Sequence, residues 1–158
     1  MWWRSVLRAA AVVAAFIAMR ALCVEPYRAN LMMSAIEQRT QHAQALDQVH
    51  AARAARINLE DLSRIATPQR LDPNWYMLDA ANCEIVGRLP EAAEMYSRAL
   101  RIDQRPELYV NRGTVLLQLG RFDAAVADLA TAARFNPDVL YELSGDVRTR
   151  VAAAAGLH

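Results

Sequence analysis

Three histidines (His42, His50, His158), two cysteines (Cys23, Cys83) and 17 carboxylates are the side chains of this 158-residue chain that could act as ligands, nucleophiles or bases. Their spacing gives them little to act with. His42 and His50 stand eight apart, so on one helix they would share a face. No carboxylate accompanies them in the local pattern, and they read as surface residues rather than metal ligands. Cys23 and Cys83 form neither a CxxC pair nor a metal-ligand pair; they read as two small buried apolar residues rather than a disulfide. Glu84 and Asp128 fall on predicted helices whose other members make them solvated surface positions. No Gly-rich phosphate loop, HExxH or nucleophile elbow occurs. These residues predict a chain without catalysis, cofactor, metal or small-molecule substrate.

Composition says what such a chain could build. Apolar residues make up 54% and Gly and Pro number five and six, so a packed helical core is available, with Ala as the best helix former. Every basic residue is Arg, and the Arg and Ala excess reads as genomic base composition, as in a GC-rich bacterium. The formal net charge of +1 leaves no basic domain for a nucleic-acid backbone. The positive excess sits at the N-terminus, where Arg4, Arg8 and Arg20 occur in residues 1–24 without an acid.

Residues 1–24 read as a transmembrane anchor or signal sequence. Val6 to Val24 is apolar apart from Arg8 and Arg20. Nineteen helical residues span about 28 Å, close to the roughly 30 Å hydrocarbon core if both arginines reach toward the headgroups. Trp2 and Trp3 suit an interfacial belt. Residues 2–24 are thus the expected membrane contact. The 11 apolar residues Ala9–Met19 also fit the core of a cleaved signal peptide, although Arg20-Ala21-Leu22-Cys23 is a poor cleavage site and a poor lipoprotein box. Arg4 and Arg8 precede the segment, which predicts a cytoplasmic N-terminus and an exported remainder. The expected location is the inner (plasma) membrane, single-pass, or the periplasm after cleavage.

Residues 25–72 form a helical connecting region. Glu25-Pro26-Tyr27 predicts the end of the membrane helix. From about Ala29 to Ala66 neither Pro nor Gly occurs, which predicts one long helix or a hairpin. Glu60, Asp61 and Arg64 have the spacing of ion pairs on a solvated face. Thr67-Pro68 predicts a stop, and Asp72-Pro73 an N-cap followed by Pro at the first helical position.

The strongest signal is internal repetition. Shifted by 33 residues, positions 73–104 reproduce seven identities: Pro73/Pro106, Tyr76/Tyr109, Gly87/Gly120, Arg88/Arg121, Ala92/Ala125, Ala99/Ala132 and Arg101/Arg134. Near matches include Ala80/Gly113, Leu89/Phe122 and Tyr96/Leu129. Each unit reads as helix, Gly turn, helix: 73–86 and 90–103, then 106–119 and 123–135, with Asn136-Pro137 ending the second. This pattern resembles the tetratricopeptide repeat, carried by Gly-Arg-Leu-Pro-Glu-Ala-Ala-Glu-Met-Tyr-Ser-Arg-Ala-Leu at 87–100 and its counterpart at 120–133. The first unit departs in having Gln104 where a Pro closes the repeat. The fold expected is all-α, a short solenoid of two repeats over 73–137. A capping helix over 138–158, interrupted near Ser144-Gly145-Asp146, follows it. Two repeats need neighbours to bury their faces, and the connecting region could cap the other end or hold a degenerate repeat over 40–72.

The resemblance implies that first helices line a concave groove for protein partners. That face would carry Asn74, Met77, Ala81, Glu84 and Ile85 from one unit, and Glu107, Val110, Thr114, Leu117 and Gln118 from the next. Alternatively, Met77, Ile85 and Val110 pack against the 37–66 helix and leave no open groove. The repeats that clamp a chaperone's C-terminal carboxylate need Lys, Asn and Arg where this chain has Met77, Ala81, Glu107 and Val110, with only Asn111 suitable. The functions expected are a membrane-tethered scaffold that recruits or assembles a complex, an accessory subunit of a membrane enzyme, or a soluble exported factor.

Overall fold

A computed structural model describes residues 2–65 and 71–157, and these are helical without a strand. The predicted stop at Thr67-Pro68 and the terminal His158 lie outside the described residues, as do the side chains of Arg4 and Arg8.

The first helix, α1 (Trp2–Met19), does not end at Pro26. It passes through a π turn, Arg20–Val24, directly into α2 (Glu25–Ala43). Pro26 lacks the N–H an α-helix would use there, and its ring crowds the carbonyl one turn back. In the π turn the Glu25 N–H donates to the Arg20 carbonyl five residues earlier, and the wider turn admits the ring without breaking the helix. None of the described α1 side chains is buried; Phe16 is 63% exposed and Val12 68%. Cys23, expected to be buried, is exposed on the same rod.

Helix α3 (Gln48–Ser63) folds back on α2, so the connecting region is a hairpin. Asp47 makes the turn: its carboxylate accepts from the Val49 N–H at 3.1 Å and the His50 N–H at 3.2 Å, a helix N-cap. This corrects two expectations. His42 and His50 sit on different helices rather than on one face, and His50 has a carboxylate companion, its Nδ1 lying 2.5 Å from Asp47 Oδ2. Hydrogen bonds from His50 hold the Asp47 carboxyl below its ordinary range. The expected Arg64 pairs form, at 2.5 Å to Glu60 and 3.4 Å to Asp61, and Asp61 also receives Arg39 from α2 at 2.5 Å.

The hairpin docks on α4 (Pro73–Ile85) through three buried polar residues, one from each helix. Asn58 Nδ2 donates to Thr40 Oγ1 (3.1 Å) and to Asn82 Oδ1 (2.9 Å). Asn82 Nδ2 donates to Thr40 Oγ1 (2.9 Å) and to the Leu78 carbonyl (2.7 Å). Unpaired polar groups are costly in a low-dielectric interior, so these four bonds favour this docking geometry, with Asn58 Oδ1 the one amide oxygen of the network left without a partner among the described residues. Ile36, Leu62, Ile65, Trp75 and Leu78 pack around it, with the Trp75 and Tyr76 rings edge to face at 5.1 Å.

The 33-residue offset seen in sequence holds in three dimensions. Helices α4 and α5 (Leu89–Ile102) have the same lengths as α6 (Pro106–Gln118) and α7 (Phe122–Phe135), each 33 residues on. Asp72 caps α4, accepting from the Asn74 N–H at 2.8 Å. Gly87 and Gly120 close the first helices with φ of 79° and 71°, values that favour glycine. The Arg88 and Arg121 N–H groups then reach back to Cys83 and Leu116 carbonyls at 2.8 Å each. Small residues sit where helices approach. Ala80 is fully buried in one cluster with Tyr96, and an added Cβ on Gly113 would lie 2.8 Å from Leu129 Cγ.

The C-terminal cap is two pieces, α8 (Val139–Glu142) and α9 (Gly145–Ala155), parted at Leu143-Ser144. Val151 is fully buried there with Leu129, Ala130, Ala132 and Ala133. The order of packing is therefore the α2/α3 hairpin, then α4/α5, then α6/α7, then α9, each covering the next.

Candidate partner-binding groove

The ten groove residues expected from the repeat all remain accessible, Leu117 among the half-buried ones. Asn74, Glu107, Thr114 and Gln118 are exposed, and Met77, Ala81, Glu84, Ile85 and Val110 are half-buried. Helix α2 packs against α4 and lines a cleft with two of these residues.

The residues do not form one pocket; two clefts flank a polar centre. The first, about 370 Å³, lies between α2 and α4. Asn74 and Met77 line it from α4, and Asn30, Met33, Ser34 and Glu37 from α2. Arg105 closes one side, donating to Asn74 Oδ1 at 2.8 Å while pairing with Asp103 at 2.8 Å. The second cleft, about 320 Å³, lies where α6 meets the cap. Val110, Thr114 and Leu117 line it, opposite Glu142, Leu143 and Val147. Between the clefts, Gln118 Nε2 donates to Glu84 Oε1 at 3.3 Å and bridges α6 to α4. Burial raises the Glu84 carboxyl above its usual 4.5, and the Gln118 bond only partly opposes this. Ala81, Ile85 and Glu107 line neither cleft.

Sequence reasoning missed the α2 side. Asn30, Met33, Ser34 and Glu37 carry helical spacing, but nothing local says which neighbour that face meets. The alternative in which Met77, Ile85 and Val110 pack against residues 37–66 holds in part, for Met77. Met77 packs on the α4/α5 core beside Leu59, whereas Val110 packs toward α7 and the cap.

On the opposite side Asp128 is buried at 6% exposure, which corrects its reading as a surface carboxylate. Arg112 from α6 grips it in a two-pronged pair, 2.7 Å from each oxygen, and also donates to Ser97 Oγ at 3.1 Å. That fork strengthens the Arg112 charge, raising its pKa. The contact ties α5, α6 and α7 together and occupies both groups. Cys83 is buried as expected; burial first, and Asp79 beside it, push its thiol up to about 12. Such a thiol is inert at neutral pH.

Residues 106–139 match the family model for the tetratricopeptide repeat, covering α6, α7 and the start of the cap. Residues 106–139 are a tetratricopeptide repeat. No curated protein matches it. The match covers the second unit, and α4/α5 follows the same helix and turn pattern 33 residues earlier. Tetratricopeptide repeats imply a role in protein–protein interaction, and the family is typically a non-catalytic scaffold. The helical stretch Ala9–Ala43 is long and apolar enough to cross a membrane, a test that a signal sequence near the N-terminus also passes.

Proposed function

We propose that this chain is a non-catalytic scaffold, anchored in a bacterial inner membrane by α1, that recruits or assembles a protein complex through the concave face of its repeats. The observation that carries the reading is that face: α4 and α6 present the repeat's groove positions in accessible form, and α2 and the cap extend it at both ends. Its lining is apolar at Met33, Met77, Val110 and Val147 and acidic at Glu37, Glu84 and Glu142. A helical or extended segment with apolar anchors and basic flanks suits it. The half-buried Glu84 carboxylate would gain most from a partner cation, because its own charge is poorly solvated.

Anchoring is supported by the length of α1, about 27 Å for 18 residues, and by its bare apolar surface. Arg4 and Arg8 near the N-terminal end of α1, with no acid beside them, favour a cytoplasmic N-terminus with exported repeats. Protease added to intact spheroplasts tests this side: digestion of the repeats supports export, and full protection with an intact anchor places them in the cytoplasm.

The test of the scaffold is purification from native membranes after mild cross-linking, with mass spectrometry of the retained proteins. One partner at constant stoichiometry, lost when Met77→Ala, Glu84→Gln and Val110→Ala are combined, supports the groove. If that partner is an enzyme, the chain is its accessory subunit. A partner unaffected by the three changes moves the interaction to α1 or the α2/α3 hairpin.

A further inference from the structure

We infer that the junction of α1, α2 and α3 is a binding site for one anionic phospholipid; this rests on the membrane anchoring proposed above. Two clefts meet there. One, about 310 Å³, is lined by Arg20, Arg28 and Arg64 with Glu25, over a floor of Ala29, Met32 and Ile65. The other, about 360 Å³, is lined by Phe16, Ile17 and Ala21 and shares Arg20 and Glu25 with the first. A basic cleft thus adjoins an apolar hollow on the membrane helix across Arg20 and Glu25, the two halves that a phosphate headgroup and an acyl chain require.

The position along the helix fits. With α1 filling the hydrocarbon core, Arg20 falls at the far interface. Arg28 lies two turns further out, and helical side chains lean back toward the N-terminus, here toward the bilayer. The charges suit a phosphate: three arginines against one carboxylate line the basic cleft. Arg20 lies 3.0 Å from Glu25 and Arg64 lies 2.5 Å from Glu60, both pairs at largely exposed side chains, while the Arg64 contact to the half-buried Asp61 is long at 3.4 Å. Exposed pairs of this kind contribute little and can yield to a phosphodiester. Arg28 has no ion-pair partner among the described residues. An anionic lipid in the basic cleft would also brace the α2/α3 hairpin against the anchor, since Arg28 belongs to α2 and Arg64 follows α3.

The experiment is native mass spectrometry of the full chain released from detergent micelles doped with phosphatidylglycerol or phosphatidylcholine. One phosphatidylglycerol should be retained in preference to phosphatidylcholine. Arg28→Gln with Arg64→Gln should weaken retention about thirtyfold, the factor two arginines supply toward an anionic surface. Arg53→Gln, elsewhere on α3, should leave it unchanged. Equal retention of both lipids, or no effect of the double change, overturns the site. Displacement of the lipid by an equal concentration of glycerol phosphate assigns the basic cleft to a free phosphate and overturns the lipid reading. Carbonate extraction of cell membranes separates this from the anchor: a chain that stays in the pellet but does not discriminate the lipids loses only the site.

Discussion

Asn82→Ala should detach the α2/α3 hairpin from the repeats while leaving α6 and α7 in place. Asn82 is fully buried and makes three hydrogen bonds, of which one, to Leu78, stays within α4. The other two cross to Thr40 and Asn58. Each is worth about 1 kcal/mol net. Truncation leaves a small void whose cost is roughly 1 kcal/mol. The docking should therefore weaken by about 3 kcal/mol, roughly a hundredfold in the opening equilibrium. Hydrogen exchange on the full chain in detergent reads this directly. Amides of residues 36–43 and 51–62 should exchange roughly a hundredfold faster, with those of α6 and α7 unchanged. Equal acceleration everywhere would mean that the triad serves global stability rather than docking. No acceleration in α2 and α3 would mean that apolar packing alone holds the hairpin, and the reasoning fails.

Three other outcomes follow from the geometry. Gly113→Ala should destabilise the chain by about 1–3 kcal/mol in denaturant unfolding, because the new Cβ meets Leu129, and Leu129→Val should restore part of the loss. Asp128→Ala should cost about 2 kcal/mol, at the low end for a broken ion pair because Arg112 keeps some access to water. Glu84→Gln should raise the melting temperature at pH 7 and not below pH 4. A carboxyl whose folded pKa is raised is favoured while protonated, so wild-type stability declines as pH rises from 4.5 through the raised value, and glutamine has no such decline.

The two repeats were readable because their signals are local. Gly87 and Gly120 mark helix ends by conformation, Pro73 and Pro106 mark starts, and the recurring Ala92 and Ala125 mark close approach. The hairpin before them was not, since its turn at 44–47 contains neither Gly nor Pro and rests on Asp47, an isolated cap. Pro26 misled because a proline usually ends a helix, and the π turn that tolerates it leaves no mark in the sequence. Asp128 looked like surface because its burial depends on Arg112, 16 residues earlier on another helix. The groove was half legible for the same reason: period gave the faces of α4 and α6, whereas the contribution of α2 depends on how a non-repeating hairpin stacks.

The central claim is that a partner lies in the concave face. It is tested most directly by placing a photo-crosslinking residue at Asn30, Thr114 or Arg98 in the full chain in native membranes. The first two are exposed on the concave side, and Arg98 is exposed on α5 behind it. The account predicts one and the same crosslinked protein from Asn30 and Thr114 and none from Arg98. A partner captured from Arg98 and not from the other two would contradict it.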